Sequence, residues 1–314
     1  MLVSVRISPL QIEFPISMRL KINVLKSFKA IPQRIEEIRR RKHVVEKFQL
    51  PSRLCEPHYL QSTCYEKSNV SDCFILGSGR SLLRLTNSEI GFVNKSPFTL
   101  SFNKYLIFYR KIGIVPTHHM IGDNHPKAMM ALEETLNVCV RDNLNITFFL
   151  THELLNQFID DRKFVKFFLE HNFNARTVLF KRSHWLWGAR WAKSLKNEIF
   201  HYRGSLTGAV NITSILNPGK TIKLLGVDLN DPYYFFQEEI ESNLERWGLF
   251  LSRLTPYAAK HETVETFANK PGVQSVFPYL TKKVRDNKGS LCCGFSDSYL
   301  VKNSIVKFEP IKEF

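Results

Sequence analysis

The sequence predicts an α/β protein built on a mostly parallel, doubly wound sheet. Short apolar runs alternate with helix-like segments between Cys73 and about Asp231, the order expected for such a sheet. With 44% hydrophobic residues among 314, the chain can bury a full core. Ligands bind at the carboxyl ends of the strands in sheets of this kind, so polar residues there mark a candidate site. Four apolar runs end in polar residues, at Gly77–Ser81, Asn103, Asp123–His125 and Asp228.

The segment Cys73–Leu82 predicts a buried strand that ends in the Gly-rich turn Gly77-Ser-Gly-Arg-Ser81. Gly77 and Gly79 can take backbone angles that other residues resist, so we expect main-chain N–H groups of the turn to face an anionic group. Similar turns are common in α/β proteins that bind no nucleotide, and the turn alone therefore leaves both interpretations open.

Two further runs, Leu100–Phe108 and His119–His125, also predict strands. Asn103 is an amide among apolar and aromatic neighbours, where an unpaired amide would be costly to bury, so we expect it to have a hydrogen-bond partner. Ile222–Leu229 predicts another strand, which ends in Gly-Val-Asp.

The part of the chain that follows this strand predicts a helical lid over the site, at about residues 232–260. A helix from His261, a turn at Lys270–Gly272 and a strand at Val273–Phe277 are expected after it.

Residues 1–68 predict a basic, partly helical N-terminal extension, ahead of a domain at 69–314. The chain has 44 Lys and Arg against 29 Asp and Glu, a balance that favours polyanionic partners. For the basic stretch Lys26–Lys47, a solvated helix face and attachment to an anionic membrane are the two interpretations. No apolar run suits a membrane span or a signal peptide, so we expect a cytoplasmic protein, free or peripheral at the inner membrane face.

The six cysteines show no paired spacing of the kind that metal sites use, which favours a reducing compartment. Cys73 and Cys139 lie in apolar runs and are expected to pack as small hydrophobic side chains. Two pairs leave reactive thiols open as an alternative: Cys55 with Cys64, and Cys292 with Cys293.

Several short motifs follow one another in a definite order: Ile75–Leu82, Phe102-Asn103, Gly122–Asn124, Ser205–Gly208, Gly226–Asp228, and His261 ahead of Val-Phe-Pro. This order resembles the bacterial lipooligosaccharide sialyltransferases, which use CMP-sialic acid and have a variant GT-A, Rossmann-like fold. The resemblance covers residues 72–281. The Gly-rich turn and the Gly-Val-Asp strand are also similar to archaeal pterin pyrophosphokinases and to a family of uncharacterised proteins.

The resemblance implies which residues bind the donor. Ser78 and Arg80 stand where the family has Asn and Pro, and Leu206 stands where it has a Thr, so one hydroxyl is missing. Arg203 lies near the family's carboxylate-binding arginine, with an offset of one residue. The implied donor-binding residues are Gly77, Ser78, Gly79, Arg80, Ser81, Asn103, Asn124, Thr207, Gly208 and Asp228.

The resemblance also implies the catalytic residues. His261 would be the general base for the acceptor hydroxyl, a role that suits the pKa of histidine. Tyr233 and Tyr234 would bind the leaving phosphate, with packing in the lid as their alternative role. The family works without a metal, and this chain has no Asp-x-Asp motif. A cluster of His118, His119 and His125 looks like a metal site, but no cysteine or carboxylate pattern completes a ligand set.

The expected function is metal-independent, inverting transfer of an acidic 2-keto sugar, sialic acid or Kdo, from a CMP-sugar to a glycan or glycolipid hydroxyl. Such a reaction would belong to lipopolysaccharide or capsule biosynthesis and would need no cofactor. One alternative is a nucleotide-dependent pyrophosphokinase, with Asp123 and Asp228 as Mg²⁺ ligands. The other is a non-catalytic protein that binds nucleic acid through residues 26–47, which leaves the ordered core motifs unexplained.

Overall fold

The computed structural model describes residues 35–50, 72–183, 190–231, 233–250 and 271–311. The chain divides into two compact units, Met1–His43 and Val44–Phe314. In the first unit residues 35–43 are helical, and in the second residues 44–47 are helical as well. The helix predicted within the basic extension is thus confirmed over its described part.

The described strands form one nine-stranded sheet in which every neighbouring pair is parallel. They are β1 (Cys73–Leu76), β2 (Thr99–Phe102), β3 (His118–Ile121), β4 (Thr147–Thr151), β5 (Thr177–Arg182), β6 (Glu198–Ile199), β7 (Thr221–Leu225), β8 (Ser290–Cys293) and β9 (Lys307–Phe308). Their spatial order is β6-β5-β4-β3-β2-β1-β7-β8-β9. The chain moves outward from β1 to β6 and then resumes at β7 on the other side of β1. The doubly wound α/β fold is confirmed, and its switch point lies between β1 and β7.

Helices cover both faces of the sheet, and no helix of the described residues is long and apolar enough to cross a membrane. The helices of the described residues are α1 (residues 35–47), α2 (Asn87–Asn94), α3 (Pro126–Arg141), α4 (His152–Asn156), α5 (Arg162–Glu170), α6 (Ser205–Leu216), α7 (Gln237–Ser242), α8 (Leu244–Trp247), α9 (Phe277–Asp286) and α10 (Tyr299–Lys302). Short 3₁₀ helices lie at Arg80–Arg84, Tyr105–Lys111, Asn174–Arg176, Gly248–Phe250 and Val273–Val276.

Each face of the sheet packs a separate hydrophobic core. Because strand side chains alternate, Phe74 and Leu76 of β1 enter one core and Ile75 enters the other. The first core includes side chains of α3 and α5, and the second includes α6 and α9. In α6 every residue except Ile215 is buried, which fixes its N-terminus firmly against the sheet.

Two predicted strands differ from the structure. The strand expected over Leu100–Phe108 ends at Phe102, and the rest of that apolar run is largely 3₁₀ helix. The strand expected at Val273–Phe277 is wrong, because Val273–Val276 is a 3₁₀ helix that leads directly into α9. Pro278 lies in the first turn of that helix instead of ending a strand, since the first turn has no need of the N–H that proline lacks.

The described cysteines are buried free thiols. Burial raises the pKa of Cys73, Cys139 and Cys292 to about 12, and it also raises the pKa of Cys293. These thiols remain protonated at neutral pH, so the alternative of a reactive pair at Cys292 and Cys293 is wrong. Packing of Cys73 and Cys139 as small hydrophobic side chains is confirmed. Cys55 and Cys64 lie outside the described residues.

Candidate functional site

A cavity of about 270 Å³ opens where β1, β2, β3 and β7 end. It lies beside the switch point between β1 and β7, where ligands bind in sheets of this type. The predicted site residues that line it are Gly77, Ser78, Gly79, Asn103, Arg203, Asp228, Tyr233 and Tyr234.

The Gly-rich turn is bonded to the end of β7. The Gly77 N–H donates to the Leu225 carbonyl oxygen at 2.7 Å, and the Gly79 N–H donates to that of Gly226 at 2.8 Å. These two N–H groups of the turn are therefore bonded within the protein and do not face a ligand. Neither glycine has a positive φ, so the expected reason for them is wrong. Close approach explains them, because a Cβ on Gly77 would lie 2.2 Å from the Gly226 oxygen.

Gly77→Ala should lower the free energy of unfolding by about 3 kcal/mol, because its Cβ would overlap a backbone oxygen that moves only if β1 and β7 separate. Urea unfolding measures the change. Gly91→Ala in α2 is the control, since a Cβ added there meets nothing within 4 Å and alanine favours the helix. Equal unfolding midpoints for the two variants would contradict this account of the turn.

The Asp228 side chain accepts two hydrogen bonds from Ser81 of the Gly-rich turn. Its Oδ2 accepts the Ser81 N–H at 2.9 Å, and its Oδ1 accepts the Ser81 hydroxyl. Burial raises the pKa of the Asp228 carboxyl, while the hydrogen bonds from Ser81 act in the opposite direction. A carboxylate of the protein thus occupies the start of the 3₁₀ helix, where we expected a ligand anion. Ser81 serves Asp228 and does not line the cavity.

Asn103 follows β2 and lines the cavity. Its side-chain Oδ1 accepts the hydroxyl of Ser205, the first residue of α6, at 3.0 Å. Its main-chain N–H donates to the Met120 carbonyl oxygen at 3.0 Å. The expectation that Asn103 has a hydrogen-bond partner is confirmed, and that partner comes from a residue 102 positions away.

Positive φ angles mark the same cavity. Five of the eight described non-glycine residues with positive φ stand two residues after a helix ends, where this conformation is a common cap: Gln49, Asn143, Asn172, Lys288 and Ser304. The other three all line the cavity, namely Asn103 (56°), Arg203 (52°) and Leu229 (59°). Strained backbone persists mainly where the structure over-determines it, often at functional sites. This clustering locates the site independently of the sequence motifs.

Helix α6 begins at the cavity wall with Gly204 as its N-cap and no acidic residue in its first turn. Thr207 and Gly208 lie deeper in this helix. The Thr207 hydroxyl oxygen accepts the Tyr202 N–H at 2.8 Å, and Gly208 is packed beside Phe200. The structure therefore does not bring Thr207 and Gly208 to the cavity.

The two predicted tyrosines stand beside the Gly-rich turn. Tyr234 forms an isolated antiparallel bridge with Gly79, and the Phe235 N–H donates to the Ser78 carbonyl oxygen at 2.9 Å. Phe235 and Phe236 are buried in the core. The first residues of the predicted lid are thus anchored to the turn, whereas residues 251–270 of the predicted lid and helix lie outside the described residues.

Cations pack on both tyrosine rings. The Arg80 guanidinium carbon lies 4.5 Å from the Tyr233 ring centroid, and Lys104 Nζ lies 4.2 Å from that of Tyr234. Lys104 Nζ also donates to the Phe250 carbonyl oxygen at 3.1 Å. Lys104 lines the cavity, whereas Arg80 is exposed outside it.

The carboxylates that line the cavity have partners in the protein. Asp123 accepts a hydrogen bond from Arg182 at 2.8 Å, and Asp231 accepts the Tyr233 N–H at 2.8 Å. Lys104, Lys127 and Arg203 add positive charge to a lining that also holds the carboxylates of Asp123, Asp228 and Asp231. None of the sequence motifs includes Lys104, which stands two residues after β2, or Lys127, which lies in the first turn of α3.

The three clustered histidines are separated by the sheet. His118 and His119 are neighbours on β3 and face opposite cores, and burial lowers the pKa of each to about 3. His125 is the N-cap of α3, where its Nδ1 accepts the Ala128 N–H at 3.3 Å. Among the described residues, no group of three or more His, Cys, Asp or Glu is placed to hold a metal ion.

Two predicted residues remain. Asn124 is exposed after β3 and does not line the cavity. His261 lies outside the described residues. Comparisons of the chain with protein-family models and with curated proteins found no match.

Proposed function

We propose that the protein is a metal-independent, inverting glycosyltransferase that moves an acidic 2-keto sugar, sialic acid or Kdo, from CMP to a glycan hydroxyl. One observation carries this proposal. Asn103, Arg203 and the adjacent pair Tyr233 and Tyr234 come from three separate parts of the chain, and all of them line one cavity at the switch point of the sheet. The resemblance to lipooligosaccharide sialyltransferases implies a nucleotide, carboxylate or phosphate role for each of these residues.

The charge of the cavity supports the same donor class. A CMP-linked acidic sugar carries a phosphate and a carboxylate, and two lysines and an arginine of the lining can face such anions. The lining carboxylates oppose this less than their number suggests, because Asp123 is neutralised by Arg182. Asp228 is turned toward Ser81.

The proposed reaction is a single displacement. The acceptor hydroxyl oxygen bonds to the anomeric carbon as the bond from that carbon to the phosphate oxygen breaks, and CMP leaves with the electron pair. A general base takes the acceptor proton, and hydrogen-bond donors near the phosphate stabilise the charge that develops on it. Tyr233 and Tyr234 are the proposed hydrogen-bond donors to the leaving phosphate, and His261 is the proposed general base.

Asn103→Ala should weaken CMP binding about ten-fold or more, because a hydrogen bond to a charged ligand group is worth about 1.5 to 3 kcal/mol. Calorimetric titration of CMP measures this. Asn172→Ala is a matched control, since Asn172 has nearly the same φ, 55° against 56°, but caps α5 away from the cavity. Unchanged affinity in a folded Asn103→Ala protein would remove this residue from the site.

A pyrophosphokinase is the second candidate, and the observation that favours it is the presence of Asp123 and Asp228 in one cavity. A kinase of this kind needs ATP and Mg²⁺. Thermal-shift measurements with CMP, UDP, GDP and ATP, each with Mg²⁺ or EDTA, separate the two functions, because a ligand that binds only the folded state raises its melting temperature. Stabilisation by CMP in EDTA supports the transferase. Stabilisation by ATP that requires Mg²⁺ supports the kinase.

The basic extension is proposed to attach the enzyme to an anionic membrane that carries a glycolipid acceptor. Its Lys and Arg residues at 39–42 lie in α1, and positive charge in such a helix favours anionic lipid. Nucleic-acid binding through residues 26–47 is the third candidate, and of that region residues 35–47 are described.

A further inference from the structure

We propose that His119 is a positioning residue, which holds the main-chain carbonyl of Asn103 and so keeps the Asn103 side chain pointing at the ligand. His119 Nε2 lies 3.0 Å from that carbonyl oxygen, and Nδ1 lies 2.7 Å from the Ser101 hydroxyl oxygen. Ser101 and His119 are register partners on β2 and β3, so the sheet itself places the two side chains side by side. The part of this inference that concerns CMP rests on the proposed function.

Chemistry fixes the proton on the His119 ring. A carbonyl oxygen only accepts, so Nε2 must carry the proton and donate it to Asn103. In the neutral ring Nδ1 is then an acceptor, which the Ser101 hydroxyl satisfies. Burial lowers the pKa of His119 to about 3, which keeps the ring neutral over the physiological range. With both ring nitrogens engaged inside the protein, His119 has no free lone pair to act as a general base.

Asn103 is the residue that this arrangement constrains. Its φ of 56° lies in the left-handed region, which asparagine tolerates better than most residues, and hydrogen bonds to neighbouring groups hold the residue there. Two elements supply these bonds: in β3, Met120 accepts the Asn103 N–H and His119 donates to its carbonyl oxygen, and in α6 the Ser205 hydroxyl donates to its Oδ1. Because Ser205 occupies Oδ1, the amide NH₂ is the group that Asn103 offers to a ligand in the cavity. His119 therefore acts on the ligand through Asn103.

Replacing His119 by Phe or Gln tests the inference. Phe fills the space but has no donor, whereas the terminal amide of Gln can place an N–H near the position of Nε2. We expect His119→Phe to weaken CMP binding about ten-fold, and His119→Gln to restore most of that loss. Hydrogen exchange of the Asn103 amide, which donates to Met120, should be faster in His119→Phe and close to that of the parent in His119→Gln.

His118→Phe is the matched control, because His118 is equally buried on the same strand but faces the opposite core. It should leave both CMP affinity and Asn103 exchange unchanged. Equal effects of the His118 and His119 changes, or no rescue by Gln, would overturn the inference. In the parent protein, NMR should show the Nε2–H tautomer of His119 unchanged from pH 5 to 9, and a proton on Nδ1 would also overturn it. If the parent binds no CMP, the proposed function fails, and exchange of the Asn103 amide alone decides the role of His119.

Discussion

His261→Ala should lower the rate of sugar transfer by about 10² to 10⁴ with little change in CMP affinity, since losing a general base typically has an effect of this size. In the proposed reaction the acceptor oxygen must lose its proton as it attacks the anomeric carbon. Three other histidines, which lie on or after β3, do not offer a replacement for His261 as the general base. His118 and His119 are sealed in the sheet, and the Nδ1 of His125 already accepts the Ala128 N–H.

CMP release from CMP-sialic acid in the presence of glycan acceptors measures this rate, and calorimetry measures CMP affinity. In the parent protein the rate should fall as the pH drops through the histidine pKa, ordinarily about 6.5, because the protonated ring accepts no proton. His261→Ala should lose that dependence. His43→Ala, an exposed substitution in α1, should keep both the rate and the pH profile. If His261→Ala turns over at the parental rate, Asp228 becomes the next candidate for the base.

The fold was predictable because its signals are local. β1 is a short apolar run directly before a Gly-rich turn, and β7 is another directly before Gly-Val-Asp. Such runs identify strands one at a time, and their alternation with helices predicts a parallel sheet. The error at Val273–Phe277 was avoidable, because its apolar residues Val273, Val276 and Phe277 are spaced i, i+3 and i+4, which is the period of a helix and not of a strand.

The site was only partly predictable because its contacts join distant parts of the chain. Glycine is needed at positions 77 and 79 because the backbone of Gly226 and the side chain of Asp228 approach them closely. Asp228 also binds Ser81 of the same turn, from which it is separated by 147 residues. The tertiary fold alone brings these groups together. A pattern of glycines predicts a tight turn, but it does not distinguish a turn that holds a ligand from one that holds a neighbouring strand.

Asn103 illustrates what sequence can and cannot supply. The cost of burying an amide correctly predicts that Asn103 has a partner. The identity of the partner, Ser205, and the support from His119 follow from the register of β2 with β3 and from where α6 begins. In the sequence His119 stands out only as part of a group of histidines that resembles a metal site without a complete ligand set, whereas in the structure both of its ring nitrogens are bonded, to Ser101 and to Asn103.

Lys223 places a charged side chain in the middle of the apolar run that forms β7, a feature that is visible in the sequence. Its side chain is fully buried. Its Nζ lies 3.0 Å from Asp72 Oδ2, 2.9 Å from the Pro310 carbonyl oxygen and 3.4 Å from Glu309 Oε1. One ammonium group therefore joins β7 to the residue that precedes β1 and to the segment that follows β9.

Lys223→Met should lower the free energy of unfolding by about 3 to 5 kcal/mol, because removing one partner of a buried ion pair leaves the other without compensation. Methionine preserves most of the side-chain volume, so the loss reports on the ammonium group and its three acceptors. Urea unfolding measures it. Lys166→Met, which removes an exposed pair with Glu170, is the control and should change stability by no more than about 1 kcal/mol.

Asp72 should account for most of this loss, because its carboxylate is itself largely buried, with 14% of the side chain exposed. Removing that charge together with the lysine, in Lys223→Met with Asp72→Leu, should therefore recover much of the stability, since an apolar pair of similar volume can replace a buried ion pair with little loss. The alternative is that Lys223 acts mainly through the Pro310 carbonyl, by holding the C-terminal segment against the sheet. The double variant would then be as unstable as Lys223→Met, because the carbonyl oxygen would still lack its donor. Recovery in the double variant assigns the stabilisation to the ion pair with Asp72, and no recovery assigns it to the hydrogen bond with Pro310.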